Sequence, residues 1–168
     1  MPATPANLFA FLDRLGIKTT TVEHEALFSV EQSQHLRGEI PGAHTKNLFL
    51  VDRKGRLFLI VAGEETKVDL KTLHLAVGAS GRFSFGKPEA MRAALGVEPG
   101  SVTPFAVIND SENLVSVVID ERLLQQSPLN FHPLVNTMST RIEPESLLRF
   151  LDAAGHKPLI VALPSPAT

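Results

Sequence analysis

The 168-residue sequence predicts an α/β (α+β) chain: a mixed β-sheet flanked by helices. Three observations predict it. Apolar runs of strand length, Asn47–Val51, Leu57–Val61 and Leu114–Ile119, are bounded by polar turn residues. Segments with helical spacing open on a proline and close on a glycine, from Pro5 to Gly16, Pro88 to Gly96 and Pro144 to Gly155. Hairpin turns join several of the strands, which a purely parallel doubly wound sheet does not allow. With 43% apolar residues and no internal repeat or linker-like stretch, residues 1–168 are expected to form a single domain, frayed at 164–168.

Taken in order, Leu8, Phe9, Leu12 and Leu15 give the first helix its apolar face, with Thr4 or Asn7 as its cap. Thr19–Val22 is β-branched and reads as a strand. Ser29 and Gln32 have the spacing of a capping box for a second helix ending near Arg37, and Gly38–His44 reads as a loop. A hairpin follows from Thr45, turning at Asp52–Gly55. Asp69 is placed to cap a short helix carrying Leu70, Leu73, Leu75 and Val77, and Arg82–Phe85 alternates like a strand. After the helix from Pro88, the turn-rich stretch Val97–Pro104 is expected to feed a strand over Phe105–Ile108. Strand Leu114–Ile119, β-compatible residues through Leu129–Arg141, the helix from Pro144 and a strand over Lys157–Val161 complete the chain.

Composition narrows the function. The chain has no cysteine, which excludes disulfides, zinc thiolates and thiol nucleophiles together. Residues 1–16 lack the features of a signal peptide, and no apolar run approaches the roughly 20 residues of a spanning helix, so a soluble cytoplasmic protein is expected. A net charge of -2 argues against a long duplex footprint, and DNA is not an expected partner. Small clusters (Arg53, Lys54 and Arg56; Arg82, Lys87 and Arg92) could still hold the single-stranded end of an RNA. No G-x-S-x-G elbow, H-E-x-x-H, Walker sequence or G-x-G-x-x-G is present, and neither a metal nor a cofactor is expected.

Three segments remain as carriers of chemistry. Lys46, with Thr45 and Asn47, enters an apolar strand and sets an ammonium at the rim of the sheet, as an anchor for a phosphate or carbonyl or as a lysine snorkelling from an edge. Gly100–Ser101–Val102–Thr103–Pro104 pairs a glycine that lets amides approach a ligand with a proline that fixes loop shape, which suits an oxyanion cradle or an ordinary turn. His132 precedes Pro133 and is biased to extended backbone, so its ring projects in a set direction; Asn136 and Thr137 follow.

In their order and spacing these segments resemble the YbaK/ProRS-associated aminoacyl-tRNA editing family, over residues from about Leu27 to Leu163, most closely its stand-alone alanyl-tRNA(Pro) deacylases. The resemblance implies a mixed-sheet or partial-barrel α/β fold and no metal. It implies that Lys46 contacts the terminal adenosine or its phosphate, that Gly100–Pro104 binds the amino-acid carbonyl, and that His132 lines the pocket. Asn47 and Asn136 are then further substrate contacts, and Leu27–Val30 and Phe49 are candidate walls of a small pocket. The implied reaction is hydrolysis of the ester in mischarged tRNA, Ala-tRNA(Pro) first, with a ribose hydroxyl of the substrate helping to position water. The implied partners are the tRNA acceptor end, tRNA(Pro) foremost, and prolyl-tRNA synthetase. Alternatives are a cysteinyl- or seryl-tRNA deacylase, a non-catalytic module binding tRNA ends or amino acids, and a plain small-molecule esterase.

Overall fold

The computed structural model describes residues 1–25 and 40–166; the expected second helix and Leu27–Val30 lie outside the described residues. Helix α1 (Pro5–Arg14) opens on a reciprocal cap in which Thr4 Oγ1 accepts the Asn7 N–H and Asn7 Oδ1 accepts the Thr4 N–H. Thr4 and Asn7, alternatives in the sequence, therefore act as a pair. Strand β1 (Thr20–Glu23) follows.

Strands β2 (Ala43–Val51) and β3 (Leu57–Gly63) form the predicted hairpin. Next come α2 (Leu73–Val77), β4 (Ser84–Phe85), α3 (Pro88–Leu95), β5 (Val115–Asp120), β6 (Leu129–Phe131), β7 (Met138–Ile142), α4 (Pro144–Ala153) and β8 (Leu159–Val161). They build one eight-stranded mixed sheet in the order β1-β7-β6-β2-β3-β5-β8, with β4 beside β2. β6 on β2, β3 on β5 and β5 on β8 are parallel; the other pairs are antiparallel.

Four local expectations change. Phe105–Ile108 is part of a 3₁₀ helix, Pro104–Asn109, capped by Thr103. A four-residue apolar run fits a buried helical turn as well as a strand, and the proline at its first position decides for the turn. Ala43 and His44, expected in a loop, begin β2 because they pair with Leu129 and Asn130 of β6, a contact that no local signal announces. Gly42 (φ +102) makes that approach possible, since a Cβ there would lie 2.8 Å from the Pro128 carbonyl oxygen. The Arg82–Phe85 strand shrinks to two residues, and Asp69 holds the turn before α2 through the Lys71 N–H and Thr72 Oγ1.

The sheet buries both faces. The main cluster gathers Leu8 and Leu12 of α1, Phe49, Val61, Leu95, Phe105 and Phe150. The second gathers Leu50, Phe58, Ile60, Leu73, Val118 and Leu163 on the opposite face. Side chains alternate along β2, so odd-numbered residues such as Phe49 face the main cluster and even-numbered ones such as Leu50 face the other.

The Asp52 carboxylate organises the hairpin turn. It accepts the N–H groups of Lys54, Arg56 and Ser80 and the Arg56 guanidinium at 2.9–3.0 Å. Burial raises its pKa, but these donors outweigh burial and hold it at about 2, below the ordinary 3.8. A depressed folded-state value stabilises the fold above the ordinary pKa, and the stabilisation fades as pH falls from 3.8 through about 2. Asp52→Asn is therefore expected to lower the denaturation midpoint at neutral pH, with the gap to wild type closing between pH 4 and pH 2; a pH-independent gap contradicts the assignment.

Candidate active site

Among the described residues β2 has no continuous second neighbour. On the side away from β3 it pairs with β6 at Ala43 and His44 and with β4 at Leu50 and Val51. Between these contacts no described strand pairs with this edge of β2, and Lys46 lies in that stretch. Extending the parallel register of Ala43 with Leu129 and His44 with Asn130 by two residues sets Lys46 level with His132. Register partners in adjacent strands share a face, so His44, Lys46, Asn130 and His132 line the same side of the sheet. Pairing itself ends at His44 and Asn130, and His132 lies one residue beyond the end of β6.

His132 begins the turn from β6 to β7. Its Nδ1 lies 3.0 Å from the Met138 carbonyl oxygen, which only accepts, so the proton sits on Nδ1 and Nε2 is left as an acceptor. Burial lowers its pKa; the Met138 carbonyl opposes this and neighbouring His24 adds to the lowering. The imidazole is thus neutral at pH 7. The turn is held by Leu134, a non-glycine residue at φ +73 that is only 7% exposed. Left-handed backbone costs about 1–3 kcal/mol, and burying a leucine gains about 1.5–3 kcal/mol, so the buried side chain offsets the strain.

The Gly100 loop meets this turn. A Cβ at Gly100 would lie 3.2 Å from Asn136 Nδ2, so the loop backbone packs against the segment that carries His132. Gly100 is exposed, whereas Ser101, Thr103 and Pro104 are buried and Val102 is half-buried against the main core. The Thr103 hydroxyl accepts the Phe105 N–H at 3.3 Å, so Thr103 and Pro104 shape the loop from within. Phe105 stacks edge-to-face on Phe131, centroids 5.9 Å apart, one residue before His132.

Two expected contacts are placed differently from Lys46. Asn47 alternates to the main-cluster face opposite Val61, and its buried Oδ1 has no hydrogen-bond partner. An acceptor buried without a partner costs about 1–3 kcal/mol. Phe49 lies in the main core, with its ring against Gly86, where a Cβ would be 2.3 Å away.

The sequence reading missed His24 and Ser139. His24 Nε2 is 2.8 Å from Ser139 Oγ, its Nδ1 is 2.8 Å from the Glu25 carbonyl, and its ring centroid is 6.3 Å from that of His132. Only the β1–β7 register, with Val22 opposite Ser139, brings these residues together. Along β2 from Lys46, His44 borders a cavity of about 470 Å³ that is also lined by Gly63–Thr66 and Gln126. Among the described residues no three His, Asp or Glu side chains are grouped to hold a metal.

Lys46, the His132 imidazole and the Gly100 loop are the candidate residues for a site at this edge of the mixed sheet. Comparisons with known proteins identify the family. The model of the aminoacyl-tRNA editing domain matches residues 24–150. The prolyl-tRNA editing protein ProX of Acetoanaerobium sticklandii is 35% identical over 150 residues, 89% of this chain and 91% of its own. Prolyl-tRNA synthetase associated domain-containing protein 1 of Danio rerio is 35% identical over 90% of this chain and 83% of its own. A crystal structure of a candidate trans-editing enzyme for prolyl-tRNA synthetase superposes with a TM-score of 0.70 at 22% identity, covering 99% of this chain and all of that one, and shares the fold. The chain belongs to the aminoacyl-tRNA editing domain family and is an aminoacyl-tRNA deacylase.

His132 is expected to titrate below 6.5 in imidazole NMR spectra, and His24→Ala is expected to move its midpoint upward by removing the neighbouring charge. An unchanged or lower midpoint in that variant contradicts the coupling.

Proposed function

We propose that the protein removes alanine from mischarged tRNA(Pro), acting in trans in the cytoplasm alongside prolyl-tRNA synthetase. The reading is supported by the β2–β6 register, which when extended past His44 and Asn130 carries Lys46 and His132 to one side of the sheet, and by the approach of the Gly100 loop to Asn136 in the His132 turn. The name of the ProX relative supports prolyl-tRNA as the substrate class.

In this reading the Lys46 ammonium holds the terminal adenosine or its phosphate, and the loop amides of Gly100 and Val102 receive the ester carbonyl, the Ser101 N–H being donated to the Glu98 carbonyl at 2.8 Å. His132 accepts a hydrogen bond at Nε2 and orients the ribose or the water, and Asn136 adds a polar contact. A ribose hydroxyl of the substrate positions the water. Water adds to the carbonyl, negative charge collects on its oxygen at the loop donors, and collapse returns free alanine and the ribose hydroxyl. Fixed donors aimed at the developing charge supply most of the rate, each contributing about 10²-fold or more. Alanine offers only a methyl group and an amine, so proline is rejected by the size of the pocket.

A covalent route has one observation in its favour, the Ser139–His24 contact at 2.8 Å. Ser139 is only 9% exposed, so the pair serves better to fix His24 beside His132.

Release of labelled alanine from Ala-tRNA(Pro) tests the proposal. Lys46→Ala is expected to lose at least about 10²-fold in kcat/KM. Gly100→Ala, which forces the loop from Asn136, is expected to lower kcat, and Ser139→Ala to stay within a few-fold of wild type. Full activity in Lys46→Ala overturns the site; faster release from Cys- or Ser-tRNA overturns the alanine assignment. Tight binding of uncharged tRNA without hydrolysis of any mischarged species overturns the catalytic reading.

A further inference from the structure

Among the described residues Phe85 is the one phenylalanine left largely in solvent, 63% exposed. A single exposed apolar side chain is ordinary on a protein surface. Its place here is not. Phe85 lies opposite Leu50 in the β2–β4 pair, so it shares the sheet face of Leu50, Leu48 and Lys46. Four residues of β2 separate its level from Lys46, about 13 Å at 3.3 Å per residue. β4 holds one end of this edge of β2 and β6 holds the other.

Two cations flank the ring in the chain. Arg82 and Lys87 flank it in the chain, and both are exposed and without an ion-pair partner. The next carboxylate along the chain is Glu89, at the start of α3, and Glu98 is occupied by Arg92 at 2.7 Å. Phe83, two residues earlier, turns inward and packs edge-to-face on Phe58 with centroids 5.0 Å apart, which anchors the segment that presents Phe85.

A flat, exposed ring between unpaired cations matches the chemistry of single-stranded nucleic acid, whose bases stack and whose phosphates seek positive charge. An apolar protein partner would not favour the two flanking charges.

We propose that Phe85 is a stacking platform for an unpaired base of the tRNA 3′ end, one that precedes the terminal adenosine held at Lys46. The proposal rests on the deacylase reading for its substrate, and its test separates the two. Phe85→Ala, Phe85→Leu and Phe85→Trp are compared in the full chain on Ala-tRNA(Pro) and on alanyl-adenosine, the same ester without preceding nucleotides. Phe85→Ala is expected to raise KM for the tRNA about 10-fold with kcat unchanged, to leave alanyl-adenosine hydrolysis unchanged, and to be rescued by Trp but not by Leu. As a readout independent of hydrolysis, uncharged tRNA carrying 2-aminopurine immediately before the terminal adenosine is titrated with protein. Quenching by wild type and its loss in Phe85→Ala are expected. Equal KM and equal quenching in wild type and Phe85→Ala, or rescue by Leu as complete as by Trp, overturns the stacking role. Quenching that depends on Phe85 in a protein that hydrolyses neither ester upholds the platform and overturns the deacylase reading alone.

Discussion

Phe105 joins the parts of the molecule on which the site depends. Its side chain is fully buried, and its ring stands nearly perpendicular to Phe131 of β6 and Phe150 of α4, with centroids at 5.9 and 5.3 Å. Edge-to-face pairs of this kind contribute about 0.5–1.5 kcal/mol each beyond the burial of their area. They tie the 3₁₀ helix after the Gly100 loop to the strand that ends at His132. Gly100 and His132 are 32 residues apart in the chain, and this contact gives the loop donors and the imidazole one rigid support. Preorganisation of that kind is what a reaction run on fixed donors requires.

The sheet supplies the second constraint. Because β6 and β4 each hold only one end of β2, no described strand pairs with the middle of that edge. Gly42 allows the close approach at one end, against Pro128, and Gly86 at the other, against Phe49. Lys46 lies between the two ends on the face shared with His132, while Asn47 turns to the main core. The cost of leaving the Asn47 oxygen without a donor is tolerable in a domain whose two clusters bury the sheet on both sides.

Much of the fold was legible because its signals are local. Pro5, Pro88 and Pro144 mark helix starts and Gly16 and Gly96 mark ends in left-handed backbone, and the Asp52–Gly55 turn separates two apolar strands, all as read from the sequence. One error falls where neighbours distant in the chain decide. Ala43 and His44 become strand only through β6, whereas the 3₁₀ helix over Phe105–Ile108 has a local signal, Pro104 after a Thr103 cap, that also fits the end of a turn. The same division holds for the site. Lys46, Gly100 and His132 stand out by residue type and order, whereas His24 and Ser139 carry no local signature and meet only through the β1–β7 register. Thr103, offered by the sequence as a ligand contact, is committed to capping the 3₁₀ helix.

The central claim is that Lys46, the Gly100 loop and His132 surround one aminoacyl ester at this edge of β2. A crystal structure with a non-hydrolysable 3′-amide analogue of alanyl-adenosine tests it most directly. The account predicts the amide carbonyl within hydrogen-bond distance of the Gly100 or Val102 amide, His132 Nε2 on the ribose or its water, and Lys46 against the adenosine. An analogue seated elsewhere, for example in the cavity bordered by His44 and Thr66 with Lys46 and Gly100 untouched, would contradict it.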